Sequence, residues 1–203
     1  AYCGATSVNR GADLNRNFSF TWNFTQGVGS SGNQCSEVYR GPSAGSEPET
    51  QAMEAYVRGL WPDRRDDDLD DKAPKNTSGV HIDVHSVAKL VLWPYGERVK
   101  PAPNGPAMEE MGRRLAYFNG YEPMQSIGLY PTDGTTNSVS YGELGVPHFT
   151  IELGETSFFE SCSNYEATVK PDNLKALRYA AKVVRTPYVT PGGPDVTGVK
   201  LSD

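Results

Sequence analysis

The chain has 203 residues, 37% hydrophobic and 22% charged, with a formal net charge of −6, so it can bury a core but lacks the basic face that nucleic acid requires. No apolar run approaches the ~18 residues of a membrane span, and no membrane partner is expected. Cysteines number three: Cys3 and Cys35 bracket a Gly-, Ser- and Asn-rich segment that a bridge would restrain, Cys162 is left over, and an extracellular or periplasmic home is expected.

The chain opens at Ala1-Tyr2-Cys3 with neither an initiating Met nor a leader and is expected to be a mature or truncated piece. Residues 1–46 are dominated by turn formers, with one short strand expected around 12–14. A helix should begin at Ser46-Glu47-Pro48-Glu49-Thr50, with Ser46 as N-cap and Glu49 closing a capping box. It should run to about residue 60, with Met53, Tyr56, Val57 and Leu60 on one face, before Trp61-Pro62 ends it. The acidic run over residues 66–71 reads as a solvated loop, with a cation site as the lesser alternative.

Val80-His81-Ile82-Asp83-Val84-His85-Ser86 alternates as a strand does, and Leu90-Val91-Leu92-Trp93-Pro94-Tyr95-Gly96 is more continuously apolar. A helix over about 106–119 gathers Met108, Met111, Leu115 and Phe118 on a stripe, and residues 130–134 form a loop. A strand over 146–153 and a helix over about 173–184 precede a Pro/Gly-rich tail or linker at 186–203. Strands interleaved with helices predict an α/β domain over residues 1–185, its helices packed on a mostly buried sheet.

Four segments carry groups suited to chemistry. In Gly11-Ala12-Asp13-Leu14-Asn15-Arg16-Asn17-Phe18, a guanidinium offers paired donors matched to a carboxylate, and the neighbouring carboxamide adds a donor without charge. The three histidines stand at 81, 85 and 148. On a strand, His81 and His85 share a face but lie ~13 Å apart, too far to hold one metal directly. Glu152 sits within an otherwise apolar strand, where it needs either a salt-bridge partner or a raised pKa of the kind that makes general bases. Tyr130 in Tyr130-Pro131-Thr132-Asp133-Gly134 is a surface aromatic or a hydroxyl able to cap a bound substrate.

Residues 11–18, Cys35-Ser36-Glu37-Val38-Tyr39-Arg40-Gly41 leading into residues 46–50, Asp83-Val84-His85-Ser86 with residues 92–96, and residues 130–134 with Phe149-Thr150-Ile151-Glu152 closely resemble the zinc carboxypeptidases of the carboxypeptidase A/T type. The resemblance implies an α/β fold with helices on both faces of a mixed, mostly buried sheet, here as an incomplete domain. It implies one Zn2+, with His85 as a ligand, Asn15 and Arg16 clamping the substrate's terminal carboxylate, and Tyr130 closing over it. Glu152 becomes the general base, Asn137 the floor of the specificity pocket, and the partner a peptide or protein C-terminus.

The departures are specific. The family's His-x-x-Glu ligand pair and oxyanion-stabilising Arg precede the Asn-Arg block, and only fourteen residues precede Asn15 here. The missing N-terminal segment of the same domain is therefore an expected partner. A neutral Asn137 points away from strict basic specificity, unless Asp133 or Glu143 reaches the pocket. A non-catalytic homologue that keeps the Arg16 clamp is the alternative. A serine hydrolase, which needs a nucleophile elbow on a strand-to-helix turn with a partner His, is the least favoured alternative.

Overall fold

The computed structural model describes Cys3, residues 11–155 and residues 157–192. The opening Ala1-Tyr2 and the tail from 193 onward lie outside the described residues. The elements are α1 (Pro48–Leu60), β1 (His81–Ser86), β2 (Leu90–Trp93), α2 (Gly105–Asn119), β3 (Glu122–Gln125) and β4 (His148–Leu153). A short turn α3 (Cys162–Asn164) passes through a π-helical stretch, Tyr165–Val169, into α4 (Lys170–Val183).

The strands form a mixed sheet in the order β1-β4-β2-β3, with β1 parallel to β4, β4 antiparallel to β2, and β2 parallel to β3. Alternation assigns its two faces different chemistry. One face presents Val91, Trp93, Phe149 and Ile151 to Met108, Met111 and Leu115 of α2 and to Ala176 and Ala180 of α4. Gly112 lets α2 approach closely, since a Cβ there would stand 2.6 Å from the Trp93 ring. The opposite face carries a polar row in which His81 pairs with His148, Asp83 with Thr150, and His85 with Glu152.

Several expectations change at the amino-terminal end. Residues 12–14 form no strand: Leu14–Arg16 is a 3-10 turn, because Asp13 accepts the Asn15 amide on its side chain at 3.0 Å and the Arg16 amide on its carbonyl at 2.9 Å. Ser46 is not the cap of α1. Glu47 occupies that position, and Ser46 Oγ donates to Glu47 Oε1 while accepting from Asn17 Nδ2.

Of the expected α1 stripe only Val57 is buried, while Met53, Tyr56 and Leu60 are 45%, 63% and 49% exposed. The inner face of the helix buries Thr50, Glu54 and Val57, Glu54 accepting from the Ser19 amide and hydroxyl and from Arg58.

The acidic loop is exposed for most of its length but anchored from beneath. Arg65 is buried and donates to the Asp71 carbonyl at 2.9 Å, to those of Asp68 and Gly142, and to the Tyr95 hydroxyl. Asp70 pairs with Arg98 and Lys100. Cys3 and Cys35 are disulfide-bonded, and Cys162 is a free, exposed thiol. Beyond α4, Tyr188 is buried and donates to the Gly145 carbonyl at 2.7 Å.

Candidate active site

The polar end of the sheet opens into a cleft of about 60 Å³ lined by Asn15, Arg16, His85, Tyr130, Asn137 and Glu152, together with hydroxyl-bearing and leucine side chains. Strands, turns and loops distant in sequence meet there. β1 and β4 bring His85 and Glu152 into direct register, and parallel neighbours sit ~4.8 Å apart with side chains on a common face. The 3-10 turn delivers Asn15 and Arg16, and the loop after the second 3-10 turn, Ser126–Gly128, delivers Tyr130.

Arg16 is 6% exposed and held by its own backbone surroundings: Nε donates to the Gly29 carbonyl at 3.0 Å and Nη1 to the Asn15 carbonyl at 2.7 Å. Nη2 has no protein partner among the described residues, which leaves a fixed, charged donor at the cleft. Asn15 Oδ1 accepts the Thr136 amide at 3.0 Å, locking the turn to the loop opposite.

Asn17, the third residue of the Asn-Arg-Asn run, turns away from the cleft. Its Nδ2 donates to the Arg40 and Ser43 carbonyls and to Ser46 Oγ, while Oδ1 accepts the Glu47 amide at the start of α1. Gly134, at φ +62°, is required by contact: a Cβ there would lie 2.4 Å from the Arg16 carbonyl oxygen.

His85 Nε2 bonds Asp83 Oδ2 at 2.8 Å, and that oxygen also accepts from Thr136 Oγ1. This carboxylate was missed as a functional candidate, although an Asp two positions before a His on an alternating strand must share its face. The Asp83 hydrogen bond raises the His85 pKa against an opposing burial effect. Burial favours neutral Asp83, but the bonds from His85 and Thr136 and the nearby His148 outweigh it and hold the carboxyl well below the usual range. Burial raises the Glu152 pKa, with His85 pulling it down and Asp83 pushing it up.

Deeper along the row, His148 is fully buried between Ser140 Oγ and Thr150 Oγ1, and burial followed by the His81 charge keeps it far below the ordinary imidazole value. His81 stands against it edge to face and is not part of the cleft lining. Asp133 and Glu143 do not reach the cleft. Asp133 accepts the Thr25 amide and hydroxyl at 2.8 and 2.6 Å, and Glu143 pairs with Arg58 at 2.6 Å.

The donor set tests the expectation of zinc. His85 suits one ligand, because Nε2 held by a carboxylate fixes the ring and leaves Nδ1 free to coordinate. Catalytic zinc takes three protein ligands, and no group of three His, Cys, Asp or Glu converges among the described residues. These residues alone do not complete a zinc site.

A family model described as zinc carboxypeptidase matches residues 3–173. Mast cell carboxypeptidase A of Rattus norvegicus is 29% identical over 186 residues, covering 86% of this chain and 40% of that protein. Zinc carboxypeptidase A 1 of Anopheles gambiae is 31% identical over 156 residues, covering 70% of this chain and 31% of that protein.

Among solved structures, carboxypeptidase A from Helicoverpa armigera superposes with a TM-score of 0.67 at 20% identity, covering 92% of this chain and 44% of that one. Thrombin activatable fibrinolysis inhibitor gives a TM-score of 0.68 at 25% identity, with coverages of 89% and 46%. The chain thus spans well under half the length of the curated relatives it matches, 40% of the rat enzyme and 31% of the Anopheles protein. With the family model matched over residues 3–173 and the α/β architecture shared, the chain belongs to the zinc carboxypeptidase family.

Proposed function

We propose that this chain is the base-bearing part of a metallocarboxypeptidase that hydrolyses the C-terminal peptide bond of peptides or proteins. The observation that carries the reading is the register of His85 with Glu152 in the same cleft as the buried guanidinium of Arg16. Arg16 and Asn15 bind the terminal carboxylate, which fixes the scissile bond at a set distance from Glu152. Tyr130, on an exposed loop at the cleft, swings over the bound residue and excludes water. Glu152, with its pKa raised by burial, takes a proton from the attacking water and hands it to the leaving amine nitrogen.

His85 supplies one ligand, oriented by Asp83, and the remaining ligands come from polypeptide outside the described residues. When bound, the zinc polarises the scissile carbonyl and lowers the pKa of a water toward ~7. β1 is an edge strand of the described sheet with Val84 exposed, and an open edge is the natural docking line for that missing segment. The Cys3–Cys35 disulfide supports an extracellular or periplasmic setting.

A second reading has its own support in the lack of a three-ligand group among the described residues: a homologue that binds C-terminal carboxylates without cleaving them. Turnover of a chromogenic peptide by the whole protein with zinc separates the two. Glu152→Gln should lower kcat by roughly 10²–10⁴-fold, the range of a lost general base. Wild-type turnover in that variant ends the assignment of the base, and binding without turnover in the native protein establishes the binder.

A further inference from the structure

Asn137 lies on the cleft beside Arg16 and Tyr130, is 5% exposed, and makes no side-chain hydrogen bond among the described residues. Its Oδ1 is a buried acceptor with no partner. A carboxamide can give two donors and receive at two lone pairs, and leaving it unmatched in a buried position is unfavourable unless a ligand completes it. The neighbouring Asn15 and Asn17 side chains are bonded within the protein, so Asn137 is the unmatched amide among the carboxamides at the cleft.

The surrounding charges narrow what that ligand group can be. Two carboxylates that could have attracted a cationic side chain are committed elsewhere, Asp133 to Thr25 and Glu143 to Arg58. Of the charged lining residues, Arg16 is assigned to the terminal carboxylate, and His85 and Glu152 to the reacting bond. What remains beside Asn137 is hydroxyl-bearing, Thr132 and Thr135, with Leu92 and Leu129 as apolar wall. A Lys or Arg side chain would be buried there without a counter-ion, and an aliphatic one would leave the amide unpaired.

We propose that the cleft selects peptides ending in a carboxamide residue, glutamine or asparagine, whose amide N–H donates to Asn137 Oδ1 and whose carbonyl accepts from Asn137 Nδ2. This rests on the carboxylate-clamp reading of Arg16. The test is calorimetric binding to the whole protein of blocked dipeptides ending in Gln, Met, Asn, Leu and Lys, each as the free acid and the C-terminal amide. The pairs Gln with Met and Asn with Leu match in size and differ in hydrogen bonding.

Free acids ending in Gln or Asn should bind about 10-fold more tightly than their apolar counterparts, Asn137→Leu should erase or invert that ratio, and Asn137→Asp should shift preference to Lys. Equal binding of carboxamide and apolar ends, or a native preference for Lys, overturns the proposal while leaving the clamp intact. Amidation without effect on Kd overturns the clamp reading and the proposal with it. A preference intact in a protein that does not hydrolyse these peptides removes the catalytic reading alone. Should Asn137→Leu not fold, the native ratios and the isosteric Asn137→Asp decide.

Discussion

Glu97 is buried with Oε2 accepting the Gly96 amide at 3.1 Å, and burial pushes its carboxyl up to about 7 against the hydrogen bonds it receives. The sign follows from its unfolded value near 4.5. Below that pH both states are protonated and nothing is lost; as pH rises toward 7 the unfolded chain ionises first, and stability falls by ~3 kcal/mol at most. Glu97→Gln should therefore raise Tm at pH 8 clearly more than at pH 5, as measured by calorimetry. Equal gains at both values would show that the carboxyl is not perturbed. Nothing local in the sequence around Pro94-Tyr95-Gly96 marks this glutamate as buried. Arg16 is the opposite case. A guanidinium between two asparagines is recognisable from residue chemistry, whereas the division of labour that sends Asn15 toward the cleft and Asn17 toward α1 is not, because it depends on residues 40–47 folding back.

Among the elements, β1 was legible from its alternation and β4 as an apolar run interrupted by Glu152, while the register that joins them was not. Helix α1 was legible as a helix but not in its orientation. Its buried side centres on Glu54, satisfied by Ser19 and Arg58, and a hydrophobic stripe cannot reveal an inner face built from a salt bridge. The strand Glu122–Gln125 and the π-helical turn Ser138–Glu143 carry no periodic signal of their own and exist through their neighbours. Asn17 ties residues 40–47, which lead into α1, to the Leu14–Arg16 turn through four hydrogen bonds. Asn17→Ala should cost ~2 kcal/mol in urea unfolding, the range for buried amides and helix caps, and should weaken binding of free-acid peptides because the Arg16 turn loses its anchor. A variant with native stability would show that the turn is held by other contacts.

For the whole molecule, the match over residues 3–173 and the α/β architecture agree with the family that the four sequence blocks resemble. Order and spacing along the chain were enough for the fold, while convergence of groups 67 residues apart, His85 and Glu152, needed strand register. The disulfide and the free Cys162 also followed from position alone. What the sequence left open was whether Asp133 and Glu143 enter the cleft, a matter of loop packing that no local pattern encodes. The central claim is that His85 holds the metal while Glu152, in register beside it, does not. Equilibrium zinc affinity of the whole protein tests this most directly. His85→Ala should weaken zinc binding by ~100-fold or more, beyond the effect of losing an outer-sphere partner, and Glu152→Gln should leave it unchanged. Undiminished zinc affinity in His85→Ala, or its loss in Glu152→Gln, would contradict the account.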